Sequence, residues 1–168
     1  MEDQKTESGR APRKHAPLNP RCMVCGAENP HGLRIRFSSD KEGASAEWSP
    51  QRDCESFTGV IHGGIVATVM DEAMSKAIIA RDWEAMTVDL HTRFHHRLKA
   101  GHRVHICGWV VERRKRKILA EASIRNSNGR EEAHAWGTFL LFQADKVELP
   151  QSNCPTTSTS TPSALSKP

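Results

Sequence analysis

The segment from Gly63 to about Ala80 carries apolar side chains at most positions, and this pattern predicts a long helix. Projected at about 100° per residue, the apolar side chains cover most of the helix circumference. A helix that is apolar nearly all round is usually enclosed by the rest of the protein. Its polar residues fall on one narrow stripe, which we expect to face a cavity, an interface or solvent: Thr68, Asp71, Glu72, Ser75 and Lys76.

Two adjacent carboxylates, Asp71 and Glu72, lie inside this apolar segment. A carboxylate in apolar surroundings costs free energy unless it is paired or used in chemistry. Asp71 shares a face with Thr68 and Ser75, whereas Glu72 points about 100° away around the helix. An ordinary amphipathic helix with a solvated Asp–Glu pair would show the same spacing, so the pattern alone leaves both interpretations open.

Alternating apolar and polar positions on both sides of the helix predict about six antiparallel strands. The predicted strands are residues 33–37 and 44–48, which form a hairpin before the helix, and then 87–98, 103–112, 118–125 and 133–142. Asn126-Ser-Asn-Gly129 has strong turn chemistry and predicts a hairpin turn. A sheet that wraps one helix explains why that helix is apolar on nearly every side. We therefore predict an α+β fold with an antiparallel sheet of about six strands wrapped around one long central helix.

Composition indicates one folded domain with a polar segment at each end. The chain has 168 residues, of which 37% are hydrophobic, so it is long enough to bury a core. Residues 1–17 are polar and charged, and residues 143–168 include a run of Ser, Thr and Pro. Segments of this kind bury too little apolar surface to fold, so we predict disordered arms there and a folded unit over residues 18–142.

Charge and cysteine content favour a soluble protein in a reducing compartment. The formal net charge is +4, which suits an anionic ligand but is too small to indicate nucleic acid. The five cysteines show no disulfide framework, and no apolar stretch follows the charged N-terminus. We therefore expect no signal peptide, no membrane span and a cytoplasmic location.

Cys22-Met-Val-Cys25 has the spacing of half a zinc knuckle. A closed structural zinc site takes four ligands. Cys54, Cys107 and His31 are available, but none of them forms a second pair at metal-binding spacing. The sequence therefore predicts no metal and no cofactor.

The basic run from Arg113 to Lys117 lies between two predicted strands. Such a run is typical of a solvent-exposed sheet edge whose charges prevent pairing with another strand. It is also typical of a tract that binds nucleic acid. Aromatic residues make up only 5% of the chain, which offers few stacking platforms for bases. We therefore expect no nucleic-acid partner. Phosphate binding by this tract or by Arg93, Arg97 and Lys99 is a third interpretation.

Four segments together resemble the PaaI-type hotdog thioesterases. They are Gly59-Val-Ile-His62-Gly63-Gly64 with Asp71 seven positions later, Thr87-Val-Asp-Leu-His-Thr-Arg-Phe94, Ala135-Trp-Gly-Thr-Phe139, and the lead-in from Cys22 to Leu33. The resemblance covers roughly residues 20–142. It implies a hotdog fold, assembly through dimers and hydrolysis of an acyl-CoA thioester.

The resemblance assigns roles to residues at the start of the helix and beyond it. The amide of Gly64 or its neighbour would bind the oxyanion, since the first helical turn presents free N–H groups and a partial positive charge. Asp71 would activate water or attack the thioester itself. Thr87 matches a hydroxyl that orients the attacking water in relatives, and His62 would hydrogen-bond near the glycine turn or orient the acyl group.

The remaining candidates concern substrate binding and the limits of the resemblance. Gly63 lets a carbonyl approach the helix, Glu72 is the reserve carboxylate, and Arg93 and Arg97 are candidates for the coenzyme A phosphates. Some relatives have an Asn shortly before His-Gly-Gly, but residues 54–57 here are Cys-Glu-Ser-Phe. A non-catalytic acyl-CoA-binding protein is therefore the alternative function.

The spacing of Gly64 and Asp71 bears on assembly. Seven residues of helix span about 10 Å, whereas both groups should lie about 3 Å from one reacting carbonyl. Asp71 of a second subunit would close that gap. We therefore predict a homodimer or a dimer of dimers.

Overall fold

The computed structural model describes residues 19–141. The predicted arms at 1–17 and 143–168 lie outside the described residues, as do the outermost positions of the predicted domain, Leu18 and Phe142. Nothing helical between residues 19 and 141 has the length and apolar character that a membrane span requires.

One α-helix, a short 3₁₀ helix at Arg52–Cys54 and eight strands form the described part of the chain. In chain order they are β1 Ser38–Ser39, β2 Ala44–Trp48, β3 Glu55–Phe57, β4 Val60–Ile61, α1 Gly63–Ile79, β5 Ala85–Phe94, β6 Val104–Arg114, β7 Lys117–Asn126 and β8 Glu131–Leu141. The helix bounds confirm the prediction from the apolar pattern. β3 and β4 form a separate two-stranded sheet that the sequence pattern did not predict.

The main sheet has six antiparallel strands in the order β1-β2-β6-β7-β8-β5. α1 packs against one face of this sheet and contacts β2, β5, β6, β7 and β8. Val69, Met70, Ala73, Met74 and Ala77 are fully buried in α1. The prediction of a sheet of about six strands around one central helix is therefore confirmed.

The first hairpin differs from the prediction. Residues 33–37 do not form a strand, because the amides of Leu33 and Ile35 donate to the carbonyls of Met23 and Val24 at 2.8 and 2.9 Å. Arg34 between them has a φ of 54°, which no extended strand can continue through. The N-terminal segment thus takes the hydrogen bonds that a longer β1 would have used, and only Ser38–Ser39 pairs with β2.

The strands after the helix follow the prediction apart from their ends. β5 stops at Phe94, and the chain then turns so that Leu98 accepts a hydrogen bond from the amide of Ile61. Most of the basic run belongs to β6 and β7, with a tight turn at Lys115, whose φ is 52°. Asn126 begins the predicted turn and accepts from the amide of Gly129 at 2.9 Å.

Candidate functional site

The start of α1 exposes backbone amides at a glycine pair. His62 is the N-cap residue, and its carbonyl accepts from the amides of Ile65 and Val66. Its Nδ1 accepts from the amide of Gly64 at 2.9 Å. The amide of Gly63 has no hydrogen-bond partner within the described residues. A ligand oxygen therefore finds one free amide here, and a second if the imidazole of His62 turns away.

The imidazole of His62 acts as a neutral acceptor in this arrangement. Accepting through Nδ1 places the ring proton on Nε2. A Cβ at Gly64 would lie 3.0 Å from His62 Nδ1, so glycine leaves room for this close contact. His62 thus hydrogen-bonds at the glycine turn, and its part in the chemistry stays a prediction.

Asp71 and Thr87 meet where α1 lies beside β5. Thr87 Oγ1 donates a hydrogen bond of 2.7 Å to Asp71 Oδ1. The strand register shifts between Thr87 and Asp89, so that one residue of β5 is bulged opposite β8. A bulge of this kind reverses which alternate side chains face the core. It turns Thr87 toward the helix, although Asp89, His91 and Arg93 at the following odd positions face outward.

Burial alters the proton affinity of Asp71. Desolvation raises the pKa of its carboxyl above the ordinary value of 3.8, the hydrogen bond from Thr87 lowers it in part, and the neighbouring charge of Glu72 raises it. The hydroxyl of Thr87 thus favours the ionised form against the cost of burial. The result is a carboxylate that binds a proton more strongly than one in water.

Glu72 belongs to a different group of side chains. Its Oε1 lies 3.2 Å from Lys76 Nζ, and the thiol of Cys22 donates to its Oε2 at 3.7 Å. Burial and then the carboxylate of Glu72 raise the pKa of the Cys25 thiol to about 12. The structure therefore places Glu72 against the N-terminal segment. Of the two adjacent carboxylates, Asp71 is the one that accepts from the hydroxyl of Thr87.

A cavity of about 600 Å³ opens at the start of α1, and its wall includes Phe57, Gly63, Phe94 and Arg97. Phe57 and Phe94 are 78% and 52% exposed, which is high for large apolar residues. Phe94 lies over the helix start, where a Cβ on Gly63 would be 3.4 Å from its ring. The cavity therefore offers an apolar, aromatic wall beside the free amide of Gly63.

A second, basic cleft shares Arg97 and Leu98 with this cavity and holds about 200 Å³. It is lined by Lys99, His102, Arg103 and Arg130 as well as by Arg97. Arg103 and Arg130 pair with Glu47 and Glu132. Arg97 and Lys99 have no carboxylate partner between residues 19 and 141, so this cleft suits an anion.

Comparison with known protein families matches residues 58–133 to the thioesterase superfamily. Those residues include the glycine pair, α1 and most of the sheet. The matched segment is similar to this superfamily, and the described part of the chain has the hotdog fold. The resemblance noted in the sequence is therefore confirmed at the level of the family and fold.

Solved structures of related proteins share this fold. A thioesterase superfamily protein has a TM-score of 0.69 and 21% identity, and the match covers 72% of this chain and 60% of that one. The PaaI protein of Escherichia coli, from its phenylacetic acid degradation operon, has a TM-score of 0.61 and 19% identity over 64% of this chain and 83% of its own. A Streptococcus pneumoniae hypothetical thioesterase, solved with coenzyme A, has a TM-score of 0.62 and 16% identity over 64% and 85%. No protein with a curated description matches the sequence.

The hotdog domain brings together some of the candidate residues and separates others. Asp71 and Thr87 are in contact, and His62, Gly63 and Gly64 form the helix start. The two groups lie two helical turns apart, and Asp71 does not line the cavity at Gly63. We refer to the helix start and to the pair of Asp71 and Thr87 as the two halves of the candidate site.

The two candidate arginines, Arg93 and Arg97, lie in different places. Arg97 lines the cavity, whereas Arg93 lies on the outer face with its guanidinium 5.8 Å from the centre of the Trp136 ring. Sequence reasoning did not find Phe57, Phe94 or His102. Phe94 ends a strand that was part of the family resemblance, and that match was the signal available in the sequence; its position beside the helix start comes from the fold.

Proposed function

We propose that this protein hydrolyses an acyl-CoA thioester to a free acid and coenzyme A. The observation that carries the proposal is the 2.7 Å hydrogen bond from Thr87 to the partly buried carboxylate of Asp71, in a domain of the thioesterase superfamily. A base or nucleophile held by one hydroxyl and shielded from solvent is what attack on a thioester requires.

Asp71 serves as the general base for water or as the nucleophile. Thr87 occupies Oδ1, while Oδ2 has no hydrogen-bond partner within residues 19–141. That second oxygen is left to take a proton from water or to attack the acyl carbon. The raised pKa makes it a stronger base than an exposed aspartate. Thr87 fixes the orientation of the carboxylate in either route.

The oxyanion is bound by the amides at the start of α1. A donor of this kind, preorganised and shielded from water, typically contributes about 2.7–4 kcal/mol to transition-state binding. The Gly64 amide is the proposed donor. Because His62 Nδ1 holds that amide at 2.9 Å, the proposal requires His62 to rotate away as the thioester carbonyl enters. The unpartnered amide of Gly63 supports binding of an oxygen at the same place.

Each active site uses two chains in this proposal. Gly64 and Asp71 are seven residues apart in one helix, about 10 Å along its axis. The cavity at Gly63 lacks a carboxylate among the residues that line it. Asp71 of a second subunit would supply that group, and a twofold dimer would then hold two equivalent sites. We accordingly propose a homodimer or a dimer of dimers.

The shape and charge of the two cavities support an acyl-CoA substrate. The apolar cavity with Phe57 and Phe94 suits an acyl group, and the adjoining cleft with Arg97 and Lys99 suits phosphates. The pneumococcal relative was solved with coenzyme A. Two further structures of it carry alanine in place of an aspartate and a threonine sixteen positions apart, the separation of Asp71 and Thr87.

A panel assay tests this function. The full chain is incubated with short, medium and long aliphatic acyl-CoAs and with aryl acyl-CoAs, and free thiol is measured with a chromogenic disulfide. We expect thiol release well above the spontaneous rate for at least one class. Saturable acyl-CoA binding without thiol release would favour the alternative, a non-catalytic binding protein. The observation that favours this alternative is the hydrogen bond from the Gly64 amide to His62 Nδ1, because it occupies the proposed oxyanion donor.

A further inference from the structure

A second polar cluster lies on α1 outside the proposed active site. Cys22, Cys25 and Glu72 each offer one ligand atom, and these three atoms all lie within 4.8 Å of one another. The two cysteines come from the N-terminal segment and the glutamate from the central helix, 50 positions away from Cys22. Cysteine thiolates and carboxylate oxygens are both ligands that zinc takes in proteins.

We propose that Cys22, Cys25 and Glu72 bind a zinc-class divalent cation that fastens the N-terminal segment to the central helix. The sequence alone predicted no metal, because the cysteine pair had no second pair at metal-binding spacing. Folding supplies the third ligand from a distant part of the chain. Neither this site nor its ligands depend on the proposed hydrolysis.

The distances within the cluster fit such an ion. A tetrahedral site with Zn–S of about 2.3 Å and Zn–O of about 2.1 Å separates the sulfur and oxygen by about 3.6 Å. Cys22 Sγ and Glu72 Oε2 are 3.7 Å apart. Contraction around a cation therefore requires little movement of these two groups. All three residues are partly exposed, so water can reach a fourth coordination position.

The loop that carries the cysteines forms a turn in which a backbone amide donates to a cysteine sulfur. The amide of Val24 donates to Cys22 Sγ at 3.4 Å, and the amide of Gly26 donates to the carbonyl of Cys22 at 3.0 Å. A Cβ at Gly26 would overlap the backbone of Cys22 and Pro20, so glycine allows the turn to close. An N–H donor to a ligand sulfur is a typical outer-shell contact of a metal site, since it stabilises negative charge on the sulfur.

Charge balance around the cluster also fits a divalent cation. Two thiolates and one carboxylate carry three negative charges, and a divalent ion leaves one. Lys76 supplies the matching positive charge, since its Nζ lies 3.2 Å from Glu72 Oε1 and its side chain is only 10% exposed. Buried charges are retained when they are paired in this way. Lys76 also fixes the carboxylate so that Oε2 faces the thiols.

Cobalt titration tests the ligand set directly. The reduced, metal-free full chain is titrated with Co²⁺, whose thiolate complexes absorb in the near ultraviolet and visible, and then with Zn²⁺ in competition. We expect one equivalent of Co²⁺ with thiolate charge-transfer absorption. Cys22→Ser and Cys25→Ser should each weaken binding at least ~100-fold, and Glu72→Gln at least ~10-fold. Cys107→Ser is the matched control and should bind like the wild type.

Alkylation of the unmodified sequence covers the case in which a variant fails to fold. Iodoacetamide labelling with and without Zn²⁺, read by mass spectrometry, should show protection of Cys22 and Cys25 and none of Cys54 and Cys107. Absence of binding in the micromolar range would overturn the proposal. So would equal labelling with and without Zn²⁺, a disulfide between Cys22 and Cys25 that persists under reducing conditions, or unchanged affinity in Glu72→Gln.

Discussion

At the scale of single residues, the contact between Thr87 and Asp71 defines the candidate chemistry. The apolar helix pattern was enough to identify Asp71 as a carboxylate in unfavourable surroundings. Sequence alternation could not place Thr87, because it shares odd-numbered parity with the outward-facing Asp89, His91 and Arg93. The bulge between Thr87 and Asp89 reverses that parity, and nothing in the local sequence marks it. The family resemblance supplied what periodicity could not.

Thr87→Val should change the pH dependence of hydrolysis. The Thr87 hydrogen bond lowers the pKa of Asp71, which burial raises, so removing the hydroxyl raises that pKa further. The active form is the ionised carboxylate. The rising limb of kcat/KM against pH should therefore move to higher pH in Thr87→Val, with lower activity below the limb.

Thr92→Val is the matched control for this change. Thr92 lies on the same strand, and its buried hydroxyl has no hydrogen-bond partner among residues 19–141. Its replacement should leave the limb in place. An unchanged limb in Thr87→Val would mean that this hydroxyl does not act on the titrating group.

At the scale of elements, the close contact between α1 and β6 positions the helix against the sheet. Gly108 of β6 lies so near the helix that a Cβ there would overlap the backbone of Ala73. The pattern of apolar residues predicted an enclosed helix and its bounds. It did not predict which strand comes closest, since this depends on the strand order β2-β6-β7. The hairpin error at 33–37 has a similar origin, because distant carbonyls of Met23 and Val24 took the amides.

Gly108→Ala should destabilise the fold, because the methyl group meets backbone that cannot rotate aside. Overpacking of this kind costs about 1–3 kcal/mol. Denaturant unfolding of the variant should show a lower midpoint with an unchanged slope. Gly63→Ala is the control, since the nearest neighbour of its methyl group would be the exposed ring of Phe94, at 3.4 Å. Equal stability of Gly108→Ala and the wild type would contradict the packing described for β6.

At the scale of the whole molecule, the two halves of the candidate site lie apart in one chain. Length, composition and spacing predicted one domain and an oligomer, and the separation of Gly64 from Asp71 along α1 supports the second inference. Substrate preference could not be predicted, because the cavity wall combines Phe57 from β3, Phe94 from β5 and Arg97 from the loop after it. Only the folded chain brings these residues to one place.

Subunit mixing should restore activity if each site uses two chains. Asp71→Asn and Gly64→Val are each expected to be inactive. After exchange in equal amounts, a mixed dimer would hold one intact site and one with both lesions. Activity should recover to about a quarter of the wild-type value per chain, since half the dimers are mixed. Mass spectrometry should first verify that subunits have exchanged. If activity then fails to recover, each site is built within a single chain.

The most direct test of the proposed hydrolysis is the rate of thiol release by Asp71→Asn, measured beside Asp89→Asn. Asp89 is an exposed carboxylate of β5, on the face of the main sheet that points away from α1, and pairs with His91. We predict that Asp71→Asn lowers kcat by about 10²–10⁴-fold. A carboxyl whose pKa is raised by folding destabilises the folded protein as pH rises through that pKa and the group ionises. Asn cannot ionise, so the variant should unfold at the same or a higher temperature at pH 7. Asp89→Asn should behave like the wild type. A folded Asp71→Asn variant with kcat within a few-fold of the wild type would contradict the account.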